Sequence, residues 1–241
     1  MSNEDVREYF NRTAVRFSAN YVHADEFDER RRVWKRHIDE ALTQLGSDTL
    51  CLDVGCGDGA LGRMVAQRGV RTIGIDQSKM MIALAQHRAQ QARLSQQLEY
   101  VEGSVPFASD LYGRFEGRVG LILCSSVLEY VDDYERVLRQ LHGLLEHGGW
   151  LVVSVPNRES IYRFGERVRK RFALTGGSYL QYQRSQFVAV DFKSTLTGLG
   201  FRVLRDEYFA LPLHRHSARL VGQRRSRWLA TLYLVALQRT S

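Results

Sequence analysis

No apolar run in this chain of 241 residues reaches the ~20 residues that a bilayer-crossing helix needs. The first residues, Met1-Ser2-Asn3-Glu4-Asp5, show no basic stretch followed by an apolar one, so no secretory leader is expected. Cysteine is scarce, at Cys51, Cys56 and Cys124 alone. An odd number without metal-ligand spacing argues against a disulfide framework and points to a reduced, cytoplasmic protein. Internal repeats and low-complexity segments are also missing. What remains is enough chain to bury one α/β core, with a single domain as the expectation.

The informative stretch is Leu50-Cys51-Leu52-Asp53-Val54-Gly55-Cys56-Gly57-Asp58-Gly59. A short apolar run ends in an acid and turns through three glycines into a helical pattern. Such a loop lets the backbone approach a ligand without intervening side chains. A second apolar run, Val70 to Ile75, ends in Asp76. Two acids at neighbouring strand tips suit a ligand with a ribose and an amino-bearing tail. Gly55, Gly57 and Ala60 also fit the looser dinucleotide fingerprint, with Asp76 on a nicotinamide ribose. Asp53 and Asp58 would repel a pyrophosphate, however, and Asp53 would attract an ammonium. Charge therefore favours a ligand without phosphates.

Here the chain resembles the class I S-adenosylmethionine-dependent methyltransferases. The resemblance rests on Leu52 to Gly59, on Gly74-Ile75-Asp76-Gln77-Ser78 with Met81, on Leu121 to Val131, and on Leu144 to Pro156. Their order and spacing make the match specific over roughly residues 48 to 156. Leu196 to Phe201 and a last strand near Leu229 to Leu237 fit more loosely.

Periodicity predicts polar helices near 5–18 and 27–45. Strands follow at 50–54, 71–76, 98–102, 119–124, 150–155, 201–210 and 228–239, with helices at 60–68, 79–95 and 133–146 and another ending near 199. Alternating strands and helices imply a doubly wound, mostly parallel seven-stranded sheet. The last two strands lack a long helix between them and should pair antiparallel, which makes a Rossmann-like methyltransferase fold. The expected division of the single domain is lid helices at 1–46, a cofactor-binding core at 47–156, a basic and apolar insertion at 157–186, and a C-terminal helix and strands at 187–241.

The resemblance implies S-adenosylmethionine as cofactor, lying across the carboxyl ends of the strands. Asp53, Gly55, Cys56, Gly57 and Gly59 would line its methionine part, and Asp76 would accept both ribose hydroxyls. Gln77 and Met81 would pack on ribose and adenine, and Cys124 and Ser125 would complete the floor. Where relatives carry an acid toward the adenine amine, this chain has Ser104 before Val105, a weaker, uncharged acceptor.

Methyl transfer needs a base only for an acceptor that must lose a proton. The candidates are Tyr130, His23, His214 and His216, with Glu129 behind them. Many relatives have histidine where Tyr130 stands, so the base stays unassigned. The acidic cluster of metal-dependent catechol enzymes is missing, and no metal is expected.

Tyr9 to Tyr21 looks like the aromatic lid helix of relatives. Residues 157–186 interleave Arg158, Arg163, Arg167, Arg169, Lys170, Arg171 and Arg184 with Ile161, Tyr162, Phe164, Val168, Phe172 and Leu174. A second basic cluster runs from His214 to Arg227. With a net charge of +7, the candidate partners are an anionic or carrier-protein-tethered small molecule, an anionic membrane surface holding an apolar substrate, and RNA. The membrane case is that of the ubiquinone-type O-methyltransferases, which the chain loosely resembles. RNA ranks last, because no appended module or N-P-P-Y-type loop is present. The expected function is methyl transfer to a small-molecule acceptor, at oxygen in preference to nitrogen or carbon. The rivals are a nicotinamide oxidoreductase, disfavoured by Asp53, Asp58 and the final strands, and a cofactor- or nucleic-acid-binding module without turnover.

Overall fold

The computed structural model describes residues 3–23, 26–171, 179–211 and 223–240. Helices α1 (Asn3–His23) and α2 (Glu26–Leu45) lead into β1 (Leu50–Val54), α3 (Ala60–Ala66), β2 (Arg71–Asp76), α4 (Lys79–Gln91) and β3 (Leu98–Glu102). Then come α5 (Ser109–Phe115), β4 (Val119–Ser125), a 3-10 turn (Leu128–Tyr130), α6 (Tyr134–Leu144), β5 (Leu145–Pro156) and α7 (Ile161–Arg171). A second 3-10 turn (Tyr179–Tyr182), α8 (Ala189–Gly198), β6 (Phe201–Phe209), α9 (Gln223–Leu229) and β7 (Leu232–Arg239) complete the described elements.

The seven strands form one sheet in the order β3-β2-β1-β4-β5-β7-β6. β1 to β5 run parallel, and β7 is antiparallel to both β5 and β6. Central strands such as β4, Val-Gly-Leu-Ile-Leu-Cys-Ser, are apolar almost throughout because helices cover both faces. Leu52, Val54, Ile73, Ile75, Ile122 and Leu151 pack against Val137, Leu138 and Leu141 of α6 and Phe192 and Leu196 of α8. On the other face, Cys51, Leu121, Leu123, Trp150 and Val152 meet Val33, Trp34, Ile38 and Ala41 of α2. The chain reverses its winding between β1 and β4, whose neighbours lie on opposite sides, and a crevice opens there at the carboxyl ends of the strands.

Three elements differ from the sequence reading. The last strand begins at Leu232 rather than 228, because Gln223–Leu229 is helical and Thr231 turns back to bond Ala210 O through its hydroxyl at 2.9 Å. β5 reaches back to Leu145, with a register shift against β4 between Val119 and Leu121 and a left-handed residue at Gly148 (φ 78°). α5 was not expected; two turns carrying Gly113 give little periodic signal. No helix among the described residues is long and apolar enough to cross a membrane.

Candidate cofactor and acceptor site

β1 delivers its chain to the crevice through Gly55, Gly57 and Gly59, all left-handed at φ 66°, 53° and 76°. Gly55 N and Cys56 N donate to Ile75 O at 2.8 and 3.0 Å, tying the loop to the tip of β2. A Cβ on Gly55 would fall on Val127 Cγ2, and one on Gly59 on the Tyr100 hydroxyl, so glycine is required by space as well as by φ. A Cβ on Gly57 would meet nothing within 4 Å, so the loop is open at this glycine.

Three acids stand around the loop. Asp53 is buried, and its Oδ2 accepts from Gly62 N of α3 at 2.8 Å. Burial pushes its pKa up to about 7; the Gly62 N–H opposes the shift, and the Asp76 and Asp58 charges add to it. Asp58 is paired with Arg88 of α4, so its charge is compensated within the chain. The charge argument against phosphates therefore rests on Asp53 rather than Asp58. Asp76 accepts from Gly57 N at 2.9 Å through Oδ2 and from Ser78 N at 2.8 Å through Oδ1. Burial raises its pKa, and the Ser78, Gly57 and Gln77 amides hold it down. A carboxylate has about four acceptor sites, so capacity remains for a ligand hydroxyl.

The remaining sequence candidates fall around this floor. Gln77 is half-buried beside Asp76, while Met81 is buried under the first turn of α4, with its N–H on Ser78 Oγ at 3.2 Å. Ser104 is exposed, whereas Val105 packs on the core. Cys124 is fully buried beside Val54, and Ser125 Oγ lies 3.4 Å from Ser154 Oγ. Burial drives the Cys56 and Cys124 thiols far above the ordinary range, which leaves them as apolar filler.

Above the crevice α1 crosses to α4. Asn11 Oδ1 accepts from Ser78 Oγ at 2.7 Å, and Met80 N lies 3.4 Å from the same oxygen. The preceding helical position, Phe10, sets its ring edge-on to Tyr130 at 5.6 Å, and Tyr9 meets Tyr182 at 4.7 Å. Tyr130 thus belongs to an aromatic roof drawn from α1 and both 3-10 turns. His214 and His216 lie outside the described residues, as does the side chain of His23.

Two groups were underweighted in the sequence. Asn11 has no signal of its own, although Ser78 could be read as the cap of α4. Glu129 is 1% exposed and its Oε2 has no hydrogen-bond partner among the described residues. Its pKa rises to about 7, burial being the main cause, against its own N–H and the Arg163 and Arg30 guanidiniums.

The glycine cradle open at Gly57, the remaining acceptor capacity of Asp76 and the lack of a paired cation at that carboxylate among the described residues fit an adenosyl ligand with ribose hydroxyls to donate. Comparison with known proteins agrees. The chain matches the family described as methyltransferase domain over residues 27–205. It is 34% identical over 115 residues to the ubiquinone biosynthesis O-methyltransferase of Chromobacterium violaceum, covering 45% of this chain and 45% of that protein. It is 30% identical over 153 residues to the tRNA 5-carboxymethoxyuridine methyltransferase of Escherichia coli, covering 63% and 58%. The chain spans about half the length of the curated relatives it matches. Its fold is similar to that of magnesium protoporphyrin IX methyltransferase from Synechocystis with bound SAH, at TM-score 0.73 and 19% identity over 99% of this chain and 100% of that one. The glycine loop, the sheet order and the family match lead to one assignment: the chain belongs to the methyltransferase domain family, as a class I S-adenosylmethionine-dependent member.

Proposed function

We propose that this chain transfers a methyl group from S-adenosylmethionine to a hydroxyl of a small acceptor held under the aromatic roof. The observation that carries the reading is Asp76, a carboxylate fixed by two backbone amides beside an open glycine loop at the switch point. The cofactor, when bound, supplies an electrophilic methyl on a sulfonium. Asp76 orients the ribose; Gly55, Cys56, Gly57 and Gly59 admit the methionine part, and Asp53 holds that loop through Gly62 N. Gln77, Met81, Ser104 and Val105 border the adenine, and Cys124 and Ser125 border the reacting end. Tyr9, Phe10, Tyr130 and Tyr182 exclude water and fix the acceptor, a positioning effect that can contribute several kcal/mol.

The test is calorimetric titration with S-adenosylmethionine, SAH and NADH. Micromolar binding of the adenosyl ligands, lost in Asp76→Ala, is expected. Binding of NADH without them would sink the assignment.

The acceptor's source is the second part of the reading. Ile161, Phe164 and Val168 lie along one side of α7 at 55%, 61% and 39% exposure, with Trp228 of α9 at 52%, among Arg158, Arg169, Arg171 and Arg227. Apolar ridges flanked by arginine suit an anionic membrane surface carrying an apolar acceptor. Sedimentation with phosphatidylglycerol vesicles should fall on Phe164→Ser. Equal sedimentation with neutral vesicles argues against it. The tRNA-modifying relative makes RNA the competing acceptor, to be tested by labelled methyl transfer to bulk tRNA.

A further inference from the structure

We infer that Glu129 receives the acceptor's proton, so that the acceptor presents an O–H donor to Oε2 rather than a carboxylate. The inference rests on the methyl-transfer reading above.

Position comes first. Glu129 lies in the 3-10 turn that follows β4, the strand beside β1 in the sheet. Two residues earlier, Val127 packs on the bare α-carbon of Gly55, so the turn adjoins the glycine loop. One residue later, Tyr130 is under Phe10 of the lid helix. The Glu129 carbonyl accepts from Arg184 N at 2.7 Å and Ser185 N at 3.3 Å, which ties the turn to the segment beyond the insertion. The backbone of Glu129 thus lies where cofactor loop, lid and insertion meet, and its side chain is buried there at 1% exposure.

Chemistry comes second. The other buried acids of the crevice have partners within the chain: Asp53 takes Gly62 N, Asp58 takes Arg88, and Asp76 takes Gly57 N and Ser78 N. Glu129 Oε2 takes none. A buried carboxylate oxygen left without a donor is costly and calls for an explanation. A ligand hydroxyl supplies the missing donor. The charged groups around it are Arg163 of α7, which donates to Thr231 O and Glu166, and Arg30 of α2. Arg184 pairs with Asp132, and the Cys124 thiol of β4 stays protonated. Neither arginine hydrogen-bonds Oε2. They hold the folded value at about 7 instead of higher, which suits a base working near neutral pH.

In the step, an acceptor oxygen lone pair forms the O–C bond to the methyl carbon. The electrons of the C–S bond leave with sulfur as a neutral thioether, and the O–H proton passes to Glu129 Oε2.

The test uses the whole chain, with carbon-13 in its glutamate carboxyl groups, saturated with SAH. Glu129→Gln should remove one resonance and leave SAH affinity unchanged. Should that variant not fold, Glu129→Asp serves for the assignment. In the wild-type protein the resonance titrates near pH 7 and is shifted by phenol but not by anisole, which has no O–H to give. A midpoint below about 5, the range of an ordinary carboxylate, overturns the inference. So does indifference to phenol or an equal response to anisole. Failure of the wild-type protein to bind SAH is a different result: it removes the cofactor reading itself.

Discussion

The two sides of the crevice differ in how their buried charges are satisfied. On the cofactor side, Asp53, Asp58 and Asp76 are each answered from within the chain, by backbone amides or by Arg88. On the acceptor side, Glu129 Oε2 has no donor among the described residues, one position before Tyr130, whose ring meets Phe10. The cofactor side is therefore organised before any ligand arrives, as electrostatic positioning requires. The acceptor side is completed by what it binds. A site common to a family can be prebuilt, whereas a site that selects among acceptors keeps an unsatisfied group for the chosen one.

This contrast can be broken from either end. The largest effect is expected from Asp76→Ala, which removes the ribose acceptor and releases Gly57 N and Ser78 N together. At about 1.5–3 kcal/mol per charged hydrogen bond, SAH affinity should fall at least ~100-fold in calorimetry. Retained affinity would mean that the prebuilt side is not where the ribose sits.

Next comes pH. Asp53 and Glu129 have folded values of about 7, above their ordinary 3.8 and 4.5. A raised carboxylate contributes stability that is fully present below its unfolded value and is lost as pH rises through the folded one. Their contribution should thus decline between roughly pH 4 and 8, by ~4 kcal/mol for Asp53 and ~3 kcal/mol for Glu129 at about 1.36 kcal/mol per unit. Urea unfolding of the ligand-free protein across that window measures it. Glu129→Gln should remove the acceptor-side share, and Asp53→Asn, which still accepts from Gly62 N, the cofactor-side share. An unaltered slope in both variants would refute the burial argument.

Gly59→Ala should cost ~1–3 kcal/mol in the same assay, since it combines a left-handed residue with a methyl driven into Tyr100. Wild-type stability would show that the loop yields more readily than its contacts suggest.

The smallest effect probes the join between the two sides. Asn11 is bonded to Ser78, whose N–H is on Asp76. Asn11→Ala should weaken SAH binding by ~1 kcal/mol, about fivefold, chiefly through faster release in stopped flow. An unchanged release rate would separate lid from floor.

Much of the cofactor side was legible because its chemistry is local. The acid, the three glycines and the second acid lie within 53–76, and short apolar runs bounded by turns located β1 to β4 closely. The acceptor side was not legible, because its parts come together only through the fold. Phe10, Tyr130 and Tyr182 come from three distant segments, and Asn11 reaches Ser78 across 67 positions. Glu129 ranked behind the histidines because ordinary pKa values favour imidazole near neutrality; burial, which reverses that order, cannot be read from neighbours in sequence.

The amino-acid order by itself thus determined the alternation of strands and helices, the glycine turn that only glycine can make, and the acid at the tip of β2. These follow from backbone sterics and short-range periodicity. Tertiary structure alone decided that Asp58 is neutralised by Arg88, that α1 closes over the floor through Asn11, and that Glu129 Oε2 is buried without a hydrogen-bond partner among the described residues. Desolvation and long-range pairing depend on which surfaces the folded chain brings together.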